Sequence, residues 1–422
     1  MRGWRRGVAA LLALIAVQGC YGIRVATHGS IRPQYRTLAR PKIAPDDLDV
    51  SGLRRAALAS RKYFTSTKAK ASYALGRDAY SSAELAHSVD YFVQILDETP
   101  PRLLNQRIAR ECRGYSPTRD VRFTAYYEPI LEARLQKDAR FRYPIYRKPD
   151  DLTLLNLARY FPVDAGNATT GNDLLPYLTR AEIDGRGVLA GRGLELAYLD
   201  DPVAAFFLHV QGSGRLRLAD GRILRVNYSG SNGLPYRSIG RHMLDQELIG
   251  SGSAGSMKAF LRTASPQVRD RILFENPRYI FFREVPLREE DGPIGSLGVP
   301  LIPGRSIAAD PRYVPPGAVV YIKTKSPVLD TRGNLVGWNE LARFTFNHDS
   351  GAAIRGPGRA DIYWGEGDRA GMAAGYMNSP GDMVVLVCGV EPQWATTARA
   401  ATPMVNVAWP EVERALAAAV NP

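Results

Sequence analysis

Phe346-Asn-His-Asp-Ser-Gly-Ala-Ala-Ile-Arg-Gly-Pro-Gly-Arg-Ala-Asp-Ile-Tyr-Trp-Gly365 sets two aspartates, Asp349 and Asp361, at the ends of a glycine-rich loop. Glycine tolerates positive φ and lets a ligand or another chain segment approach the backbone closely. The residues after the loop read as a short apolar strand. A carboxylate on a strand leaving such a loop is well placed to serve as an acid in a groove. The remainder of the chain is read as what builds that groove and carries it to substrate.

Working outward, Tyr279-Ile-Phe-Phe282, Val299-Pro-Leu-Ile302, Ala318-Val-Val-Tyr-Ile322 and Met383-Val-Val-Leu-Val387 are short β-like runs. Val121-Arg-Phe-Thr-Ala-Tyr-Tyr-Glu128 alternates as a strand until Pro129 breaks it. Before it, Ser81-Ser-Ala-Glu84 is a capping box. It opens a helix with Leu85, Val89, Phe92, Val93 and Leu96 on one face, closed by Pro100-Pro101.

Beyond residue 130 the texture changes. Pro144–Arg147 is extended, and Asn167–Asn172 is loop-like. Leu194–Leu199 and Ala205–Gln211 read as strands. Leu216-Arg-Leu and Ile223–Val226 flank a hairpin turn at Ala219-Asp-Gly-Arg222. Residues 236–275 are patterned as helix around Ile239, Met243, Phe260 and Leu261, and Trp409 with Val412, Leu416 and Val420 forms a closing helix. The fold class is mainly β with some helices. A length of 422 residues accommodates two cores, and 39 Gly, 29 Pro and 21 Tyr fit a loop-rich β protein better than a helical bundle.

A net charge of +13 calls for an anionic partner: nucleic acid, a membrane surface or an acidic polymer. The N-terminus decides between them. Arg2, Arg5 and Arg6 precede an apolar run from Val8 to Val17, of signal-peptide length and too short to cross a bilayer. The run ends in Val17-Gln-Gly-Cys20, which resembles a bacterial lipobox, with Cys20 the lipidated residue. Tyr21 in place of aspartate permits sorting to the outer membrane, facing the periplasm of a Gram-negative cell. Nucleic acid is excluded there, and the charge points to the wall or to lipid headgroups. Residues 21–50, with Pro33, Pro41 and Pro45, read as a tether. Cys112 and Cys388 remain, and their spacing leaves a disulfide and two buried thiols both open.

Several chemistries find no support. His28, His87, His209, His242 and His348 lack metal-ligand spacing, and neither a G-x-S-x-G elbow nor a phosphate loop is present. His348 and Asp349 are adjacent, so on a strand they would face opposite ways. His348 is read as a loop histidine held by a hydrogen bond, and no metal or cofactor is expected.

Asp310–Gly317, His348–Gly356 and Gly358–Gly365 together resemble the domain named for its three aspartates, here Asp310, Asp349 and Asp361. Five further segments resemble the membrane-bound lytic transglycosylase A family: Phe123–Pro129, His209–Arg215, Gly230–Gly240, Asn276–Arg283 and Gly292–Leu301. Ala125 and Ala352 stand where glycine is common in that family, and Ser350 where threonine is.

The resemblance implies a discontinuous double-psi β-barrel with an inserted β-rich domain and a groove between them. The divisions expected are 1–19 signal peptide, 20–50 tether, 51–128 first barrel part with N-terminal helices, 129–285 insert and 286–422 second barrel part. It also implies cleavage of the MurNAc–GlcNAc β-1,4 bond of peptidoglycan with formation of 1,6-anhydromuramic ends. Asp361 is the family's acid, then base, its pKa raised by burial or by a like charge from Asp349.

Asp310 is a supporting residue or a turn cap. Thr124 would hydrogen-bond the acid or pack in its strand. Of Tyr126 and Tyr127, at most one reaches sugar. Gln211, Ser213 and Arg215 suit sugar hydroxyls, or Arg215 a peptide carboxylate, and Gly351 belongs to the loop that contacts substrate. Tyr236 and Trp364 stack on sugar or pack in the core. The partners implied are glycan strands, the membrane through Cys20 and other wall-synthesis or wall-cleaving proteins. The rivals are a non-catalytic peptidoglycan-binding lipoprotein and an aspartic peptidase, which would need a second D-[ST]-G element beside Asp349-Ser-Gly351.

Overall fold

Runs of β-branched and aromatic residues form the strands of a barrel, because such side chains pack well on a pleated, half-buried surface. The structure is a computed structural model that describes residues 34–152, 177–286, 292–390 and 393–394. The barrel strands are β1 (Val121–Glu128), β2 (Ser306–Ala309), β3 (Val319–Leu329), β4 (Leu335–Asp349), β5 (Arg359–Glu366) and β6 (Asn378–Cys388). They pair in the order β6-β3-β4-β2-β5-β1, and β1 pairs back to β6 to close the ring. The β2–β4 and β5–β1 pairs are parallel, the others antiparallel. β1 lies more than 170 residues upstream of the next barrel strand, so the barrel is discontinuous in sequence.

Phe123, Ile307, Ile322, Phe346, Ile362 and Val385 fill the interior without exposure. Each such side chain contributes roughly 1.5–3 kcal/mol relative to an exposed one. Helix Ser82–Glu98 opens with the expected Ser81/Glu84 capping box, and its Phe92 packs 5.2 Å from Phe344. Cys112 and Cys388, register partners on neighbouring strands, form a disulfide.

A second, six-stranded sheet comes mainly from the intervening residues, in the order Ile280–Val285, Ile223–Ser231, Ser213–Arg217, Ile130–Arg134, Glu195–Leu199, Tyr143–Tyr146. The hairpin at Ala219–Arg222 forms as read, with Gly221 at φ +82° and the Leu218 amide donating to the Arg222 carbonyl at 2.9 Å. Asn227 of this sheet exchanges hydrogen bonds with the Ile294 backbone at 3.0 and 3.2 Å, joining the sheet to the segment that leads back into the barrel.

Two local readings are corrected. Ala205–Gln211 lies in a helix, Pro202–Gln211, rather than a strand. Asp201 caps its amino end, Pro202 takes the first turn and left-handed Gly212 ends it. Val203, Phe206, Phe207 and Leu208 are all buried, so the segment carries no polar face to reveal a helical period. Val299–Ile302 is a buried turn region with one bridge, Ile294 to Pro300, rather than a strand.

The described part of the stretch read as a tether packs on the barrel. Tyr35–Leu38 pairs with Cys112–Pro117, and Asp46 meets Arg305 at 2.6 Å with only 10% and 2% of their side chains exposed. Cys20 and its leader, the Asn167–Asn172 loop and the helix at Trp409 lie outside the described residues.

Candidate active site

Alternation along β1 and β5 decides which side chains meet. Phe123 of β1 and Ala360 and Ile362 of β5 face the barrel core, which turns Thr124 and Tyr126, and likewise Arg359, Asp361 and Tyr363, to the other face. In register, Asp361 lies between Thr124 of β1 and Ala308 of β2. Ala308 pairs on its far side with Asp349 of β4. Two residues twelve apart in sequence are thus brought onto one ladder, two strand spacings or about 10 Å apart at the backbone.

The two carboxyls sit in opposite hydrogen-bonding environments. Asp349 accepts at both oxygens: the Tyr126 hydroxyl donates to Oδ2 at 3.0 Å, and the Ser296 and Ser350 amides donate to Oδ1 at 2.8 and 2.9 Å. Burial pushes its pKa up, and these donors pull it back. Asp361 has a buried Oδ1 with no hydrogen-bond partner among the described residues. Burial drives its pKa up to about 6, with the Arg359 cation opposing and Asp349 adding to the rise. Donors to both oxygens favour a carboxylate, whereas a buried oxygen without one favours the acid. Burial raises both carboxyls, and of the two Asp361 is the one whose hydrogen-bonding surroundings favour the protonated form.

Asp310 is fully buried and holds the glycine-rich loop. Its Oδ2 accepts from the Gly356 amide at 2.8 Å and from Arg312 at 2.7 Å. Burial acts to raise its pKa, but Arg312 and the Gly356 amide prevail and hold it below the usual carboxylate range. Gly351 is half-buried, and its carbonyl accepts from the Ile354 amide at 3.0 Å at the start of the same loop. His348 lies on β4 rather than in a loop, fully buried between the Ser60 and Ser306 hydroxyls at 2.9 Å each. Burial lowers its pKa to about 3, so it is neutral and has no part in a triad.

Other expected contacts are occupied within the protein. The Thr124 hydroxyl accepts from Arg359 at 3.1 Å, so it holds the cation beside the acid rather than the acid itself. Tyr126 reaches Asp349, and its ring lies 5.4 Å from Tyr363. Tyr127 faces the other way: its hydroxyl meets Lys258 at 3.2 Å and its ring lies where a Cβ on Gly371 would fall. Gln211 accepts from the Tyr127 amide at 3.2 Å, and Ser213 is buried at the head of its strand. Arg215 pairs with Glu128 at 3.0 Å and with Glu366, which leaves no fork open for a peptide carboxylate. Trp364 stands three residues from Asp361 on β5, hence on the opposite face. It packs against the barrel core, with Arg343 6.0 Å from its ring, and does not share the site. Tyr236 is half-buried in the region of the second sheet, and burial raises its pKa.

Sequence reading missed three contributors. Ser296 lies in Gly292–Leu301, a segment singled out without a role for its amide. Arg359 stands two residues before Asp361, on the same strand face by parity. Glu128 is fully buried and accepts from Arg225 at 3.2 Å as well as from Arg215, tying the end of β1 to the second sheet. A carboxylate closing an apolar strand was the available signal for it, but nothing local identifies its arginines.

Residues 122–283 match the family model described as the MltA specific insert domain, and residues 305–387 match the 3D domain. A Vibrio cholerae protein named membrane-bound lytic murein transglycosylase A is 32% identical over 274 residues, covering 64% of this chain and 66%, just under two thirds, of that protein. The solved structure of a membrane-bound lytic murein transglycosylase from Agrobacterium tumefaciens superposes with a TM-score of 0.65 at 29% identity, covering 81% of this chain and 95% of that one. MltA from Neisseria gonorrhoeae superposes with a TM-score of 0.60 at 30% identity, covering 85% and 94%. With both family models in chain order and the fold shared nearly end to end with solved members, the chain belongs to the membrane-bound lytic murein transglycosylase A family.

Proposed function

We propose that this chain is a peptidoglycan lytic transglycosylase in which Asp361 acts first as acid and then as base. The observation that carries the reading is the contrast between Asp361, half-buried with an unpartnered oxygen, and Asp349, which accepts at both oxygens. The acid donates its proton to the glycosidic oxygen between MurNAc and GlcNAc. The substrate's own N-acetyl oxygen closes on C1 as that bond breaks. The Asp361 carboxylate then takes the proton of the C6 hydroxyl, which attacks C1, releases the N-acetyl group and leaves a 1,6-anhydromuramic end. The proton given is the proton recovered, and no water is consumed. Asp349, with its oxygens engaged by three donors, is poorly placed to activate water as a second glycosidase carboxylate would. Its charge is suited to stabilising the positive charge that develops at C1.

In this reading the barrel parts, 51–128 and 286–422, carry the acid, and the insert, 129–285, forms the opposite wall of the glycan groove. Cys20 anchors the chain by lipid to the outer membrane facing the periplasm, in keeping with the membrane-bound name of its relatives. Mass spectrometry of soluble products from purified sacculi tests the proposal. Wild type should release anhydro-muropeptides and Asp361→Asn none. Reducing ends would replace the transglycosylase with a hydrolase. Retained binding with no product from either protein would leave a wall-binding module.

A further inference from the structure

A cavity of about 300 Å³ opens on the barrel where the chain turns from Cys112–Pro117 into β1. Arg36, Arg119, Asp120 and Asp382 line it, with Ser116 and Thr118 adding hydroxyls. All four charged side chains are exposed, and none forms a hydrogen bond or ion pair through its side chain with any described residue. Two cations and two carboxylates therefore share one wall without satisfying each other.

The backbone is also uncommitted there. β6 pairs with Cys112–Pro117 only from Val385 onward and with β1 only up to Gly381. On that edge Asp382, Met383 and Val384 have no ladder partner, although the other edge of all three pairs with β3. A free strand edge beside charges of both signs is matched by an extended peptide bearing both an ammonium and a carboxylate. A simple anion would leave the two aspartates opposed to it.

We propose that this cavity binds the zwitterionic end of a short peptide, and that in the working enzyme the peptide is the stem of the glycan strand. The second half rests on the peptidoglycan reading above; the first does not. The geometry permits both at once. Val121, in the cavity wall, lies three residues along β1 from Thr124, the register partner of Asp361. That is about 10 Å, and an extended peptide of three to five residues spans up to roughly 10–18 Å. A sugar seated at Asp361 can thus place its peptide end in the cavity. The Arg122 side chain, exposed between the two, marks the path.

Two measurements test the inference separately. In the first, a synthetic N-acetylated tripeptide ending in a diamino acid is titrated into the protein by calorimetry. Wild type should bind it, and Arg36→Ala/Arg119→Ala and Asp120→Asn/Asp382→Asn should each weaken binding at least tenfold. Blocking the peptide's ammonium by acetylation or its carboxylate by amidation should do the same. No binding to wild type overturns the site, and sensitivity to the arginines alone reduces it to an anion site. In the second, turnover of peptide-bearing glycan is compared with that of glycan stripped of peptide. The fourfold variant should lose at least fivefold in kcat/KM on the first and keep wild-type turnover on the second. Equal effects on both substrates overturn the stem assignment. If wild type turns over neither glycan, the transglycosylase reading and the stem assignment fall together, and the titration alone decides the cavity.

Discussion

Replacing Asp361 with asparagine should remove activity and, at the same time, stabilise the fold above neutral pH. The carboxyl has its pKa raised from 3.8 to about 6, first by burial. Below about pH 3.8 the folded and unfolded chains both hold this proton, and the group adds nothing to stability. Between the two values the unfolded chain releases the proton while the folded one keeps it, so stability falls as pH rises. Above about pH 6 the full penalty is present: some two pH units at 1.36 kcal/mol each, or about 3 kcal/mol. Asparagine keeps the shape without the charge, so the variant should gain roughly 2–3 kcal/mol near pH 8 and almost nothing near pH 4. Urea unfolding of both proteins at the two pH values measures the difference. An asparagine variant no more stable near pH 8 than near pH 4, relative to wild type, would mean that Asp361 ionises as an ordinary surface aspartate. Such a group would not hold a proton for the leaving oxygen, and the acid assignment would fail with it.

Arg359→Gln removes the cation that holds the Asp361 pKa down, so the alkaline limb of the kcat/KM profile should move to higher pH; a limb that stays in place would remove Arg359 from the electrostatics of the acid. Arg225→Met leaves fully buried Glu128 with Arg215 as its one arginine partner among the described residues, and urea unfolding should register a loss of about 3–5 kcal/mol, partly restored by adding Glu128→Gln. Breaking the Cys112–Cys388 bond, which joins residues 276 apart, should cost about 2–5 kcal/mol in chemical unfolding, and an unfolding curve unchanged by reductant would show that the pair does not form.

How much of this was readable in advance follows from the range over which each interaction acts. The barrel strands were legible because Val319–Ile322, Met383–Val387 and Val121–Glu128 carry their β preference in neighbouring residues. The helix Pro202–Gln211 was not, since its apolar surface continues all round, yet Asp201-Pro202 and Gly212 were start and stop signals present in the sequence. Trp364 was recoverable too. The parity that separates His348 from Asp349 also places it opposite Asp361, three residues back on one strand. Arg215 was beyond any such rule. Glycine-flanked and basic, it suits an anionic ligand by local reading, and only the fold brings Glu128 and Glu366 against it.

The environment of Asp361 is the extreme case, because no part of it is local except Arg359. Thr124, which positions that arginine, lies 237 residues upstream of Asp361 in β1. Ser296 and Tyr126, which fix the neighbouring charge, come from the segment re-entering the barrel and from β1. Ala308 contributes only a backbone position, yet it holds the two carboxyls on one ladder. A one-residue slip of β2 would turn the strand's faces over and separate Asp349 from Asp361. The closed ring resists such a slip, since β2 is paired on both edges and its four residues are buried. Barrel closure thus fixes the spacing of the two aspartates, at which Asp349 adds to the rise that burial gives the Asp361 carboxyl.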